Sequence, residues 1–159
     1  MASVVNKLLN IAQATNAYFG EKDYQQLTII KRMVADLNHP TRIIGVPIVR
    51  EDDGLAMSSR NARLTSADRA AAPVIYKGIM AAQEAVAKGV TDPIDLKKIV
   101  MEFIKKEPRA EIITADIVDE GTLAPITEII RPAALLLNVA FNGIILIDQS
   151  ILMPKNLVP

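Results

Sequence analysis

The chain has 159 residues, enough for one domain or parts of two; half are hydrophobic, 23% are charged, 4% are aromatic and none is Trp, so a buried, aliphatic core is expected. Lys plus Arg and Asp plus Glu number 18 each, and a net charge of zero argues against a nucleic-acid binder, which needs a basic surface for phosphates. Without Cys and with a single histidine, His39, the chain is excluded from disulfide, thiolate and His-rich metal chemistry.

Val4, Val5, Leu8, Leu9 and Ala12 share one helical face, so a core-facing helix is expected from about residue 2. Ala17 to Phe19 read as a short buried strand broken by Gly20. Leu27, Ile30, Met33, Val34 and Leu37 carry a helical period over 23–37, ended by Asn38-His39-Pro40. The β-branched stretch TRIIGVPIVR reads as the next strand, with Pro47 late in it or at an edge. Strand, helix, strand in this spacing is the βαβ unit of a parallel sheet.

Residues 51–63 are polar and contain Gly54, so a loop is expected there. Thr65 and Asp68 resemble a capping box opening an Ala-rich helix that runs from Ser66 to Lys88 and stops at Gly89. Asp92-Pro93 opens a further helix to about Lys106. Residues 111–119 alternate as a strand, and strands 133–141 and 143–148 are joined at Asn142-Gly143, a strong hairpin signal. The expected fold class is α/β: a parallel part over residues 1–62, then a small α+β part with antiparallel strands over 63–159. No run of about 18 apolar residues marks a membrane span, and MASVVNKLLN lacks the organisation of a signal peptide. A cytoplasmic protein with no membrane partner is the expectation.

Two stretches could carry chemistry. In FGEKDYQQ, Gly20 ends a strand and Lys22 stands at the mouth of a helix, where free N–H groups and the helix dipole suit a phosphate. The plainer reading is that Gly20 makes the turn while Glu21 and Asp23 complement the dipole. In MSSRN, Ser58, Ser59 and Arg60 offer two hydroxyls, turn amides and a guanidinium that can wrap a phosphate chain. The plainer reading there is a solvated loop whose serines and Asn61 make local turn bonds. His39 reads as a helix C-terminal residue, Asp52-Asp53 as exposed loop charges, and no metal ligand set is assigned. On the residues alone both readings stay open.

The stretches FGEKDYQQL, VPIVREDDGLAMSSRNARLT and, more weakly, LLNVAFNGIILIDQ resemble the pantoate–β-alanine ligases (pantothenate synthetases), and the resemblance covers essentially the whole chain. It implies a Rossmann-like nucleotidyl-transferase domain, partial here, followed by a smaller C-terminal lid domain, in homodimers. It implies ATP and Mg²⁺, with pantoate and ATP giving pantoyl adenylate and pyrophosphate before the β-alanine amine displaces AMP. By the same resemblance, Gly20, Glu21, Lys22 and Asp23 form the ATP-binding strand–helix turn, with Lys22 on the phosphates. Gln26 bonds pantoate, the Val49 backbone meets adenine, and Met57, Ser58, Ser59 and Arg60 correspond to the KMSKS loop of class I aminoacyl-tRNA synthetases. Lys22, Ser58, Ser59 and Arg60 are the catalytic candidates. The family's histidine-containing HIGH-like motif lies on an earlier segment and does not occur in these residues, so the chain is expected to be a C-terminal portion, inactive alone. The alternative is a non-catalytic binding or oligomerisation module, with open sheet edges pairing between copies.

Overall fold

A computed structural model describes residues 1–157. They form two compact units that divide after Ile48, each with its own sheet.

The first unit holds α1 (Ala2–Ala12), β1 (Asn16–Gly20), a 3₁₀ turn (Glu21–Asp23), α2 (Tyr24–Asp36) and β2 (Arg42–Val46). β1 and β2 pair in parallel from Asn16 opposite Arg42 to Gly20 opposite Val46. This is the expected βαβ unit, with α2 as the crossover. Thr41 closes its base: buried, it donates from its hydroxyl to the Ala14 carbonyl at 2.7 Å. His39 accepts the Thr41 amide at Nδ1, a local turn role. Leu27 and Ile30 of α2 are fully buried.

Burial here differs from the expectation in two places. Leu9 is the buried residue of α1, which packs on α2, while Val4 (61%), Leu8 (59%) and Ile11 (81%) stand exposed. The strand at 17–19 is present but only half-buried, with Tyr18 exposed. Two strands and two helices offer too little surface to cover both faces of every element, so periodicity correctly marks a helix here without guaranteeing burial.

In the second unit, α3 (Ser66–Ala71), α4 (Val74–Ala87) and α5 (Pro93–Ile104) accompany an antiparallel sheet in the order β3 (Ala110–Asp119), β4 (Ala133–Phe141), β5 (Ile144–Leu152). The Ala-rich segment is two helices rather than one. Pro73 cannot donate an amide and breaks it, and α4 starts afresh beyond. Gly89, at φ +100°, ends α4, and Asp92 caps α5 by accepting the Ile94 amide at 2.7 Å. The hairpin turns at Asn142 (φ 48°) and Gly143 (φ 80°), the left-handed pair a two-residue turn requires. The core is aliphatic as composition demands: Ile75, Ile79, Leu96, Val100 and Ile104 of the helices meet Leu135, Leu137, Val139, Phe141 and Leu152 of the sheet.

Two buried carboxylates tie this unit together. Asp68 accepts from the Thr65 hydroxyl at 2.6 Å and from Arg109 at 3.1 Å, so the expected cap also fastens α3 to the residue before β3. Asp119 gathers the hydroxyl and amide of Thr122, the Gly121 amide and Arg131. Hydrogen bonds from Thr65 and then Arg109 hold the Asp68 carboxyl below the usual carboxylate range, and hydrogen bonds from Thr122, then the charge of Arg131, do the same for Asp119. A depressed folded-state pKa contributes stability at all pH above the unfolded value of about 4, and that contribution is lost as pH falls through the folded value. The melting temperature should therefore hold down to about pH 5 and drop below about pH 4. Asp119→Asn should melt lower at neutral pH and show a shallower acid fall in thermal denaturation across pH; an acid limb identical to wild type would contradict this account.

Candidate functional site

The strand–turn–helix at 16–36 places five candidate residues at one end of the first unit. β1 ends at Gly20, Glu21 to Asp23 make a single 3₁₀ turn, and α2 begins at Tyr24. Asp23 precedes α2 without its side chain capping any amide. Gln26 is exposed on the first turn of α2. Glu21 does not simply face outward: its side chain lies over Gly45 of β2, where a Cβ would crowd its carboxylate.

Gly20 has an ordinary extended backbone (φ −64°, ψ 132°), and a Cβ built on it would meet nothing within 4 Å. Gly20 stands at the junction of β1 and the turn, and the fold of this chain does not itself require glycine there.

Residues 49–64 belong to the second unit, so the division falls ahead of the boundary expected after residue 62. The physical reason is that this segment is built onto β5. The Met57 amide donates to the Val49 carbonyl at 2.9 Å, Glu51 donates to Leu55 at 2.8 Å, and Arg50 bridges antiparallel to Ala56. Leu55 and Ala56 are buried, so the expected polar loop is a narrow folded turn with an apolar footing. Arg50 forks onto Asp148 of β5 at 2.7 and 2.9 Å, donates to the Gly54 carbonyl at 3.0 Å, and stacks 4.3 Å over the Tyr76 ring.

Ser58 starts a 3₁₀ turn over Ser59–Arg63, its hydroxyl accepting the Arg60 amide at 3.2 Å. The Ser59 side chain is exposed. Arg60 donates one Nη1–H to the Ile145 carbonyl at 3.0 Å, leaving its remaining N–H groups directed away from that bond. Asn61 holds the turn from beneath, donating to the Ala56 carbonyl at 3.1 Å, and its Oδ1 is buried without a hydrogen-bond partner. Val49 and Met57, joined through their backbones, both present exposed side chains. The structure thus brings Val49, Met57, Ser58, Ser59 and Arg60 together in one unit, and Gly20, Glu21, Lys22, Asp23 and Gln26 together in the other.

Sequence reading passes over Arg50 and Asp148. An arginine beside the acidic run Glu51-Asp52-Asp53 looks like an ordinary loop charge, and its partner lies 98 residues away. Asp53, read as a solvated charge, pairs with Arg69, which holds its carboxyl below the usual range. No group of three or more His, Asp or Glu among the described residues could hold a metal ion.

A parallel βαβ unit with a turn between its first strand and its helix, and a helix-backed antiparallel sheet carrying a second turn, define a two-unit α/β protein. The family model for pantoate-beta-alanine ligase matches residues 1–151. The pantothenate synthetase of Rhizobium meliloti (strain 1021) is 48% identical over 157 residues, covering 98% of this chain and 54% of that protein. That of Bartonella tribocorum is 49% identical over 156 residues, with the same coverage. Among solved structures, pantothenate synthetase from Thermus thermophilus superposes with a TM-score of 0.90 at 38% identity, over 96% of this chain and 55% of that one. The Francisella tularensis pantoate-beta-alanine ligase, solved with βγ ATP and β-alanine, gives 0.64 at 28% identity, over 99% of this chain and 50% of its own. The chain belongs to the pantoate–β-alanine ligase family, and it spans about half the length of the relatives it matches.

The two glycines make opposite predictions. Gly54 is at φ +89° and a Cβ there would overlap the Tyr76 ring, so Gly54→Ala should cost about 1–3 kcal/mol in urea unfolding. Gly20→Ala should leave stability within about 1 kcal/mol of wild type. Equal losses at both positions would refute this reading of the backbone.

Proposed function

We propose that these residues form the phosphate-handling part of a pantothenate synthetase, which condenses pantoate with β-alanine through pantoyl adenylate and releases AMP and pyrophosphate. The observation that carries this is the Ser58-capped turn, which presents the Ser59 hydroxyl and the Arg60 guanidinium on a rigid footing. Family membership and the Francisella relative solved with βγ ATP and β-alanine support the choice of ligands.

Attack of a carboxylate on the α-phosphorus builds negative charge on the phosphate oxygens. Lys22, Ser58, Ser59 and Arg60 are the donors that oppose it, and Gly20, with nothing where a Cβ would stand, lets a phosphate approach the β1–α2 turn. Glu21 and Asp23 frame that turn. Gln26 bonds pantoate, the Val49 backbone meets the adenine, and Met57 belongs to the ATP-binding loop with Ser58, Ser59 and Arg60. The reaction needs no covalent nucleophile. Mg²⁺ enters with the ATP as substrate, held by phosphate oxygens and water. The 159 residues contain no histidine pair of the HIGH type, His39 being occupied in a turn, so by themselves they bind rather than turn over. Cytoplasmic location and a homodimer are part of the same reading.

Replacing the matching stretch of the Rhizobium meliloti enzyme with this chain tests the proposal. The hybrid should form pantothenate with ATP consumption, and the isolated chain should not. Arg60→Ala in the hybrid should lower kcat roughly a hundredfold, the scale for losing one preorganised donor. A soluble, folded hybrid without activity, or one indifferent to Arg60→Ala, would sink it.

A further inference from the structure

We infer that Arg50 and Asp148 are positioning residues for the Ser58–Arg60 turn, acting as a buried clamp that fixes it on the edge of β5 without touching ligand. The inference rests on the phosphate-binding reading of that turn.

β5 is an edge strand, paired on one side by β4. Its two attachment points for the 49–63 segment are the Asp148 carboxylate, held by Arg50, and the Ile145 carbonyl, held by Arg60. One of these arginines is half-buried and one is exposed. The Arg50 side chain is 21% exposed and Asp148 2%, whereas Arg60 is exposed. Arg50 spends its guanidinium on three acceptor atoms, both Asp148 oxygens and the Gly54 carbonyl, with its face covered by Tyr76. Asp148 is further committed to the Gln149 amide at 2.8 Å. Neither group is aimed at a ligand. What they fix is the start of the turn: Arg50 pairs with Ala56, and the Ala56 carbonyl holds Asn61, on the far side of Ser58–Arg60. Gly54 is part of the same device, because only a residue without Cβ brings its carbonyl under Arg50 beside the Tyr76 ring. A turn held at both ends presents its hydroxyls and amides already ordered. One held only through Arg60 is competent for part of the time, and its apparent affinity falls by that fraction.

The test uses the whole 159-residue chain, with Asp148→Asn and Arg50→Lys as variants and Leu96→Ala, in the core of α5, as a control for general destabilisation. Hydrogen–deuterium exchange is followed in peptides covering 53–64 and 133–141, and Mg·ATP affinity by calorimetry. In both variants the 53–64 peptides should exchange faster while 133–141 stays protected, and Mg·ATP should bind roughly tenfold more weakly if turn order drops to about a tenth. Lysine should fail to rescue because one ammonium cannot fork across both carboxylate oxygens. Leu96→Ala should lower the melting temperature yet leave affinity unchanged wherever the chain is folded. Wild type that binds Mg·ATP while the variants bind as well as it does, or loosen only together with 133–141, overturns the clamp. Wild type that binds no Mg·ATP overturns the phosphate reading instead, whatever the exchange pattern shows.

Discussion

The fork between Arg50 and Asp148 joins two points 98 residues apart in the chain, and the form of the second unit around its candidate turn depends on it. Removing one partner of a buried pair typically costs about 3–5 kcal/mol, because the survivor keeps its charge without compensation. Here the compensation is unusually complete, with a carbonyl, an aromatic face and a backbone amide completing the set. A carboxylate on β5 can stay buried only because the segment at 49–57 folds back to meet it. The same contact decides where the units divide, drawing residues 49–62 to the sheet rather than leaving them with the βαβ part.

Local chemistry makes most of the elements legible. Asn142-Gly143 gives a turn whose two residues both need positive φ, Asp92-Pro93 caps and starts a helix, and Thr65 to Asp68 caps another. Each of these signals acts over a few residues, which is the range a sequence pattern reports. Pro73 is visible too, and it divides the Ala-rich segment into two helices. Burial is less legible than element type. The stripe on α1 and the strand at Tyr18 have the right period and remain uncovered, since period reports a face and not what stands opposite it.

At the candidate site the division is similar. Ser58, Ser59, Arg60 and Lys22 can be picked out from a familiar frame of residues, and the capping role of Ser58 follows from its place before a turn. What holds them cannot. Asp148 reads as one alternating residue of a strand and Arg50 as one charge in a run, and only tertiary pairing gives either a role. Gly20 and Gly54 make the same point in reverse. They look alike in sequence, yet one is demanded by its backbone and a neighbouring ring and the other by nothing in the chain itself.

The exposed Val4, Leu8 and Ile11 form an apolar stripe on α1. A chain with zero formal charge and an isoelectric point near 6.6 has almost no net repulsion to keep copies apart at neutral pH. An uncovered apolar stripe on a surface with so little net charge is of the kind that lowers solubility. Moving the pH away from neutrality, or placing charge on the polar side of α1, raises solubility without disturbing the βαβ core, whose buried contacts run through Leu9, Leu27 and Ile30.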